Sequence, residues 1–378
     1  MTRILILAVV AATALSGCGV GGGGSEPGEI PFGTGEWKTD FSRHSAPLDE
    51  FVGGGPPKDG IPSIDEPKFV SVEEADRFLA PREPVAVIEL DGTARAYPIQ
   101  ILVWHEIVND EVAGRPIAVT YCPLCNSTVA FDRRVDRRVL DFGTTGMLRN
   151  SDLVMYDRQT ESWWQQITAD AVVGELLGTE LEVIPSQILS WEQFLRLYPR
   201  GEVLSRDTGF SRSYGRSPYA AYDSNPESEP FLFEGEPDRS LPAKERVAAI
   251  ETGEGSAVVY PFSRLRGEAP INDVLSDRSI VVLFDPEVAS ALDSSTISAG
   301  RDVGAAAVFD RTVKGRILTF KPGPDSGRFR DLETRSSWDL SGRAVKGPLQ
   351  GEQLERIPHD DQFWFALAAF FDRPEIRE

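Results

Sequence analysis

The chain repeats itself at long range, and this bounds the folds open to it. Moving the segment that starts at Ala86 forward by 163 residues, onto the segment that starts at Ala249, lays Tyr97-Pro98 on Tyr260-Pro261. Asn109-Asp110 then falls on Asn272-Asp273, Arg115 on Arg278 and Pro123 on Pro286. Residues 97–129 hold 10 identities in 33 ungapped positions. The match resumes with shifted offsets: Phe131-Asp132-Arg133 with Phe309-Asp310-Arg311, Trp164 with Trp338, Gly174 with Gly347, Ile184-Pro185 with Ile357-Pro358 and Trp191 with Trp364. Similarity that keeps its order is the signature of a duplicated unit. The expected architecture is two tandem degenerate repeats, over 59–204 and 242–378, packed as one pseudo-symmetric unit. An Arg/Tyr-rich connector over 205–241 joins them, and a connector this long is often functional.

Local patterns give the fold class. Val85–Leu90 and Ala94–Tyr97 flank Asp91-Gly92, a hairpin signal. Ile117–Tyr121 is an apolar run suited to a buried strand, and Thr128–Phe131, Val139–Phe142 and Leu153–Tyr156 read as further strands. Short helices are expected over Glu73–Leu79, capped by Ser71, and over Trp191–Leu197, capped by Ser190; Phe363–Phe371 reads as a buried helix. Together these predict a β-rich α+β protein.

The N-terminus reads as a targeting segment. Arg3 precedes an apolar run from Ile4 to Leu15, too short to span a bilayer and followed by Leu15-Ser16-Gly17-Cys18. That ending resembles a prokaryotic lipobox, so residues 1–18 are expected to be a lipoprotein signal peptide with Cys18 as the lipidated residue. The lipid would anchor the chain to the outer face of a membrane, cytoplasmic or outer. Residues 19–58 begin Gly-rich and read as a flexible tether. The formal charge of −20 weighs against nucleic acid, whose phosphates require a basic surface.

If Cys18 carries lipid, Cys122 and Cys125 are the only thiols left for the folded body, and they work where disulfides persist. The second repeat has Asp285 and Val288 at these positions and Glu268 at the position of His105. It keeps the turn and core residues and lacks the soft ligands, which points to a site confined to the first repeat. Three readings of the Cys-x-x-Cys pair stand. The first is a soft-metal site, copper or zinc, with His105 as third ligand and Met147 as a candidate fourth. Its geometry rests on a hairpin between Glu106–Asn109 and Ile117–Tyr121 that would carry His105 toward Cys122. The second is a redox dithiol, which would make the protein a thiol–disulfide oxidoreductase acting on exported proteins. The third is a static disulfide. Asp152 and Asp157 are weaker candidates for acid–base chemistry, since carboxylates between strands usually serve turns. There is no Gly-rich phosphate loop, Gly-x-Ser-x-Gly elbow or His-Glu-x-x-His motif, and no nucleotide cofactor is expected. A non-catalytic envelope module, binding a small ligand or an envelope protein through the connector, is the remaining alternative.

Several separated motifs occur in order: DGIPSIDEPKFV (59–70), REPVAVIELDGTARAYPIQILVWHEIVND (82–110), VTYCPLCNSTVAFDR (119–133), FGTTGMLRNSDLVMYDRQTESWWQQ (142–166) and RSYGRSPYAAYD (212–223). Together they resemble the bacterial and archaeal domain-of-unknown-function family numbered 3179. The resemblance includes His105, Cys122, Cys125, Asn150, Asp152, Asp157 and Trp164. It implies an extracytoplasmic module and brings no activity, substrate or cofactor.

The lipobox reading gives a direct expectation. Cells grown with a labelled fatty acid should label the wild-type protein and not Cys18→Ala; labelling that survives the substitution contradicts it.

Overall fold

The computed structural model describes residues 32–253 and 255–377. Cys18 and the lipobox lie outside the described residues. Strand makes up 41% and helix 11%, so the β-rich α+β class holds.

Four antiparallel strands form the sheet that carries the cysteines, in the order Val183–Ile184, Ser127–Asp132, Arg115–Cys122, Ile107–Val112. A second sheet runs Ser186–Ser190, Pro84–Leu90, Thr93–Pro98, Glu202–Leu204, Phe69–Ser71. A third runs Phe51–Gly53, Phe142–Arg149, Asp152–Asp157, Trp163–Gln165, Ala171–Val173. The C-terminal half contains sheets ordered Asp360–Phe363, Arg246–Gly253, Ser256–Pro261, Glu375–Ile376; Ile271–Leu275, Arg278–Asp285, Ala305–Asp310, Glu355–Arg356; and Phe320–Pro322, Arg328–Asp331, Ser337–Asp339, Ala344–Lys346.

Local chemistry explains the elements. Asp91 (φ 48°) and Gly92 (φ 77°) turn the first hairpin, both in the left-handed region that a two-residue turn of this type requires. Ser190 and Gln193 form a reciprocal capping box at the start of helix Trp191–Leu197. Ser71 caps a single turn, Val72–Ala75, shorter than the Glu73–Leu79 expectation. Two helices were not legible in the sequence: Ile99–His105 and Phe262–Glu268. Each follows a Tyr-Pro whose proline, at φ −60°, stands as N-cap without offering a side-chain acceptor.

The two halves share their interior. One apolar cluster joins Val85, Val87, Trp191 and Phe194 to Val281, Leu283, Phe309 and Trp338. A second joins Cys122, Cys125, Leu153 and Trp164 to Phe363, Phe365 and Ala366. Residues read as a tether to 58 are in place from Trp37. Its ring meets Trp163 at 5.0 Å, Phe41 and Phe51 are buried, and Phe51–Gly53 pairs with Phe142–Arg149. Gly146 (φ 77°) allows this approach, since a Cβ there would sit 2.2 Å from the Pro56 carbonyl oxygen.

Asp157 has a structural role. Its buried carboxylate accepts from Thr160 N at 2.6 Å, from the Thr160 hydroxyl at 2.9 Å and from Trp164 Nε1 at 3.0 Å. Asp331 accepts the corresponding bonds from Thr334 and Trp338. Asp157→Ala should leave buried donors unpaired and cost about 3 kcal/mol. Urea denaturation measures this; a loss near zero contradicts the assignment.

Candidate metal centre

The strand Arg115–Cys122 is apolar because both faces are covered; Ile117, Ala118 and Val119 are fully buried. It ends at Cys122, which pairs in register with Ser127. Pro123, Leu124, Cys125 and Asn126 form the hairpin turn between them, with Asn126 at φ 54°. The Cys-x-x-Cys motif is therefore a tight β-turn that holds both thiols at the end of a rigid strand. Distant segments fix the turn from outside. Asn126 Nδ2 donates to the Asp361 carbonyl at 2.9 Å, Phe363 N donates to the Cys125 carbonyl at 2.9 Å, and the Tyr222 hydroxyl donates to the Leu124 carbonyl at 3.0 Å.

Asp152 arrives from the neighbouring hairpin. Asn150 (φ 50°) and Ser151 (φ 66°) make its turn, and Asp152 opens the returning strand. Its Oδ2 accepts from Gln165 Nε2 at 2.6 Å and from Ile167 N at 3.1 Å, while Oδ1 accepts from no N–H or hydroxyl and the carboxyl lies within bonding influence of the two thiols. Cys122 Sγ, Cys125 Sγ and an Asp152 carboxylate oxygen all lie within 4.8 Å of one another, and all three residues are buried. This group could hold a metal ion. Both cysteines are free thiols, and Cys122 donates to the Ser151 carbonyl at 3.6 Å.

Glu106, which the sequence reading passed over, stands beside this group. It ends helix Ile99–His105 in a left-handed conformation, φ 59° and ψ −31°. A positive φ costs a non-glycine residue on the order of 1–3 kcal/mol. Its backbone closes the sheet, since Tyr121 N donates to its carbonyl at 2.8 Å. Its carboxyl is buried and makes no hydrogen bond among the described residues. The one available clue was its place next to His105 in a quoted motif.

That left-handed turn also corrects the expectation for His105. The hairpin forms as expected, Ile107–Val112 against Arg115–Cys122. The chain reverses at Glu106, so Glu106 acts on the cysteine group and His105 is engaged elsewhere. The His105 ring bonds the Pro62 carbonyl through Nδ1 and the Tyr214 hydroxyl through Nε2, both at 2.7 Å, and it stands outside the ligand group. Met147 lines a cavity with Cys122 and Glu106 and is not in the ligand group. Asp157 and Trp164 bond each other, as described above.

Electrostatically the site is a set of buried acids. Burial pushes the Cys122 thiol up and the Cys125 thiol well above its ordinary value. Burial also pushes Asp152 up to about 7, against the bonds from Gln165 and Ile167 that lower it. Burial and the neighbouring Asp152 push Glu106 up to about 8. The leading influences on all four are burial and neighbouring polar or acidic groups, and none is a cationic side chain.

The sign of the pH effect follows. The unfolded chain releases the Glu106 proton near pH ~4, while the metal-free native chain holds it to about pH 8. Between these values the native state binds more protons, so stability falls as pH rises. Glu106→Gln should therefore gain stability relative to wild type as pH rises from 5 to 8, measured by urea midpoints of metal-free protein. A difference independent of pH contradicts this.

No curated protein and no solved structure matches the chain. The chain matches a protein family of unknown function, DUF3179, across residues 58–374, and it belongs to that family.

Proposed function

We propose that this is a zinc-binding lipoprotein of the cell envelope, with Cys122, Cys125 and Asp152 as the protein ligands. The grouping of the Asp152 carboxyl and two buried thiols within 4.8 Å of one another, with no N–H or hydroxyl donor on Asp152 Oδ1, carries the reading. Buried acids without a cation stay protonated, whereas a divalent ion lets the thiols and carboxyl ionise together. Two thiolates and a carboxylate suit zinc; copper, the first expectation, loses its main support once His105 is engaged elsewhere. Three protein ligands leave one position for water or a ligand, the arrangement of zinc sites that do chemistry.

The thiol–disulfide alternative needs a readily ionised, accessible thiol. Burial and the raised thiols weigh against it. The connector supports a role in the same site, because Tyr222 bonds the turn and the Ser151 hydroxyl donates to the Phe231 carbonyl. We also infer that the halves arose by duplication. The matching order of their sheets and the shared Asp–Thr–Trp bonds support this. In the second half Ala269, Asp285 and Val288 stand where the first has Glu106, Cys122 and Cys125.

Untagged protein should purify with stoichiometric zinc by elemental analysis. Cys122→Ser and Asp152→Asn should each lose it while staying folded by circular dichroism. Wild-type protein that carries no zinc and takes up none on titration contradicts the proposal.

A further inference from the structure

A cavity of about 120 Å³ opens onto Cys122 and Glu106. Its walls are apolar. Leu148, Leu153 and Met147 come from the hairpin that carries Asp152, and Phe231 and Leu232 come from the connector. Besides Cys122, three residues with polar side chains line it: the buried Glu106, Tyr219, and Thr144, whose hydroxyl donates to the Ile61 carbonyl at 2.9 Å. Neither the carboxyl nor the Tyr219 hydroxyl has a hydrogen-bond partner among the described residues. Glu106 is buried and Tyr219 half-buried, so each has a polar group with no protein partner left to bond a molecule in this space.

We infer that this cavity binds a small neutral organic molecule with an apolar body and one hydroxyl or carbonyl group. Size sets the first limit: an apolar cavity of about 150 Å³ accommodates benzene and this one is slightly smaller and open at one side, so the ligand has on the order of six non-hydrogen atoms. The walls set the second. They reward apolar area and cannot replace the water around an ion. An anion would also stand against the acids of the site. A small cation would have one carboxyl to pair with in an apolar enclosure, where desolvation outweighs the attraction. The carboxyl and phenol set the third, because a hydroxyl or carbonyl on the ligand can bond either one. The inference goes beyond the metal reading and does not require it.

Cyclohexanol and cyclohexylammonium serve as probes, on full-length protein with and without zinc, by calorimetry and thermal shift. Cyclohexanol should bind saturably to wild type and to Cys125→Ser, which removes a proposed metal ligand without touching the cavity wall. Tyr219→Phe should weaken binding about tenfold, as expected for one lost hydrogen bond. Leu148→Trp, which fills the cavity, should abolish it. The inference is overturned by absence of saturable binding to wild type, by unchanged affinity in either wall variant, or by tighter binding of cyclohexylammonium than of cyclohexanol. Binding that survives in Cys125→Ser while zinc is lost separates this inference from the metal proposal.

Discussion

The cysteine turn is held by the far end of its own chain. Asp360 accepts from the Ser127 hydroxyl and from Thr128 N, the Asp361 carbonyl accepts from Asn126, and Phe363 N donates to Cys125. The Asp361 carboxylate in turn accepts from Ala306 N, in the central strand of the C-terminal half. The two bonds that Asp360 accepts through its carboxylate are charge-assisted, the kind whose loss costs most. The C-terminal half thus serves as the support for a site it does not itself contain. Residues 59–204 are not a free-standing site-bearing module, because the turn, the core around Trp191 and the core around Cys125 all draw on residues beyond 242.

On this support the chain places groups that repel one another when ionised. Asp152 and Glu106 are both pushed up by burial, and Asp152 adds to the shift of Glu106. Both thiols are pushed up as well. A fold that needed only stability would fill such a space with apolar side chains. The left-handed backbone at Glu106 adds a local cost at the same place. Binding of a cation, as proposed, would offset the repulsion among these acids.

Much of this was legible in the sequence, for identifiable reasons. Strands with apolar runs and the Asp91-Gly92 turn announce themselves through patterning and backbone preference. That Cys122 closes a buried strand was legible from the apolar run Ile117–Tyr121. The place of Asp152 beside the thiols was not. Asp152 was weighed for acid–base work, and its proximity to the thiols depends on how two hairpins pack, which spacing does not encode. His105 was misplaced because one backbone angle, at Glu106, decides which of two adjacent side chains acts on the cysteines. The helices after Tyr97-Pro98 and Tyr260-Pro261 were missed because neither has a side-chain cap. The segment from Trp37 looked like a tether because its glycines and prolines mask a few anchoring aromatics.

The central claim is a zinc ion held by sulfur and carboxylate. X-ray absorption at the zinc edge, on untagged protein as purified, tests it most directly. Zinc at this centre should show two sulfur scatterers at about 2.3 Å with oxygen scatterers at about 2.0–2.2 Å. A shell made only of nitrogen and oxygen, or protein with no zinc and a Cys122–Cys125 disulfide, would contradict it.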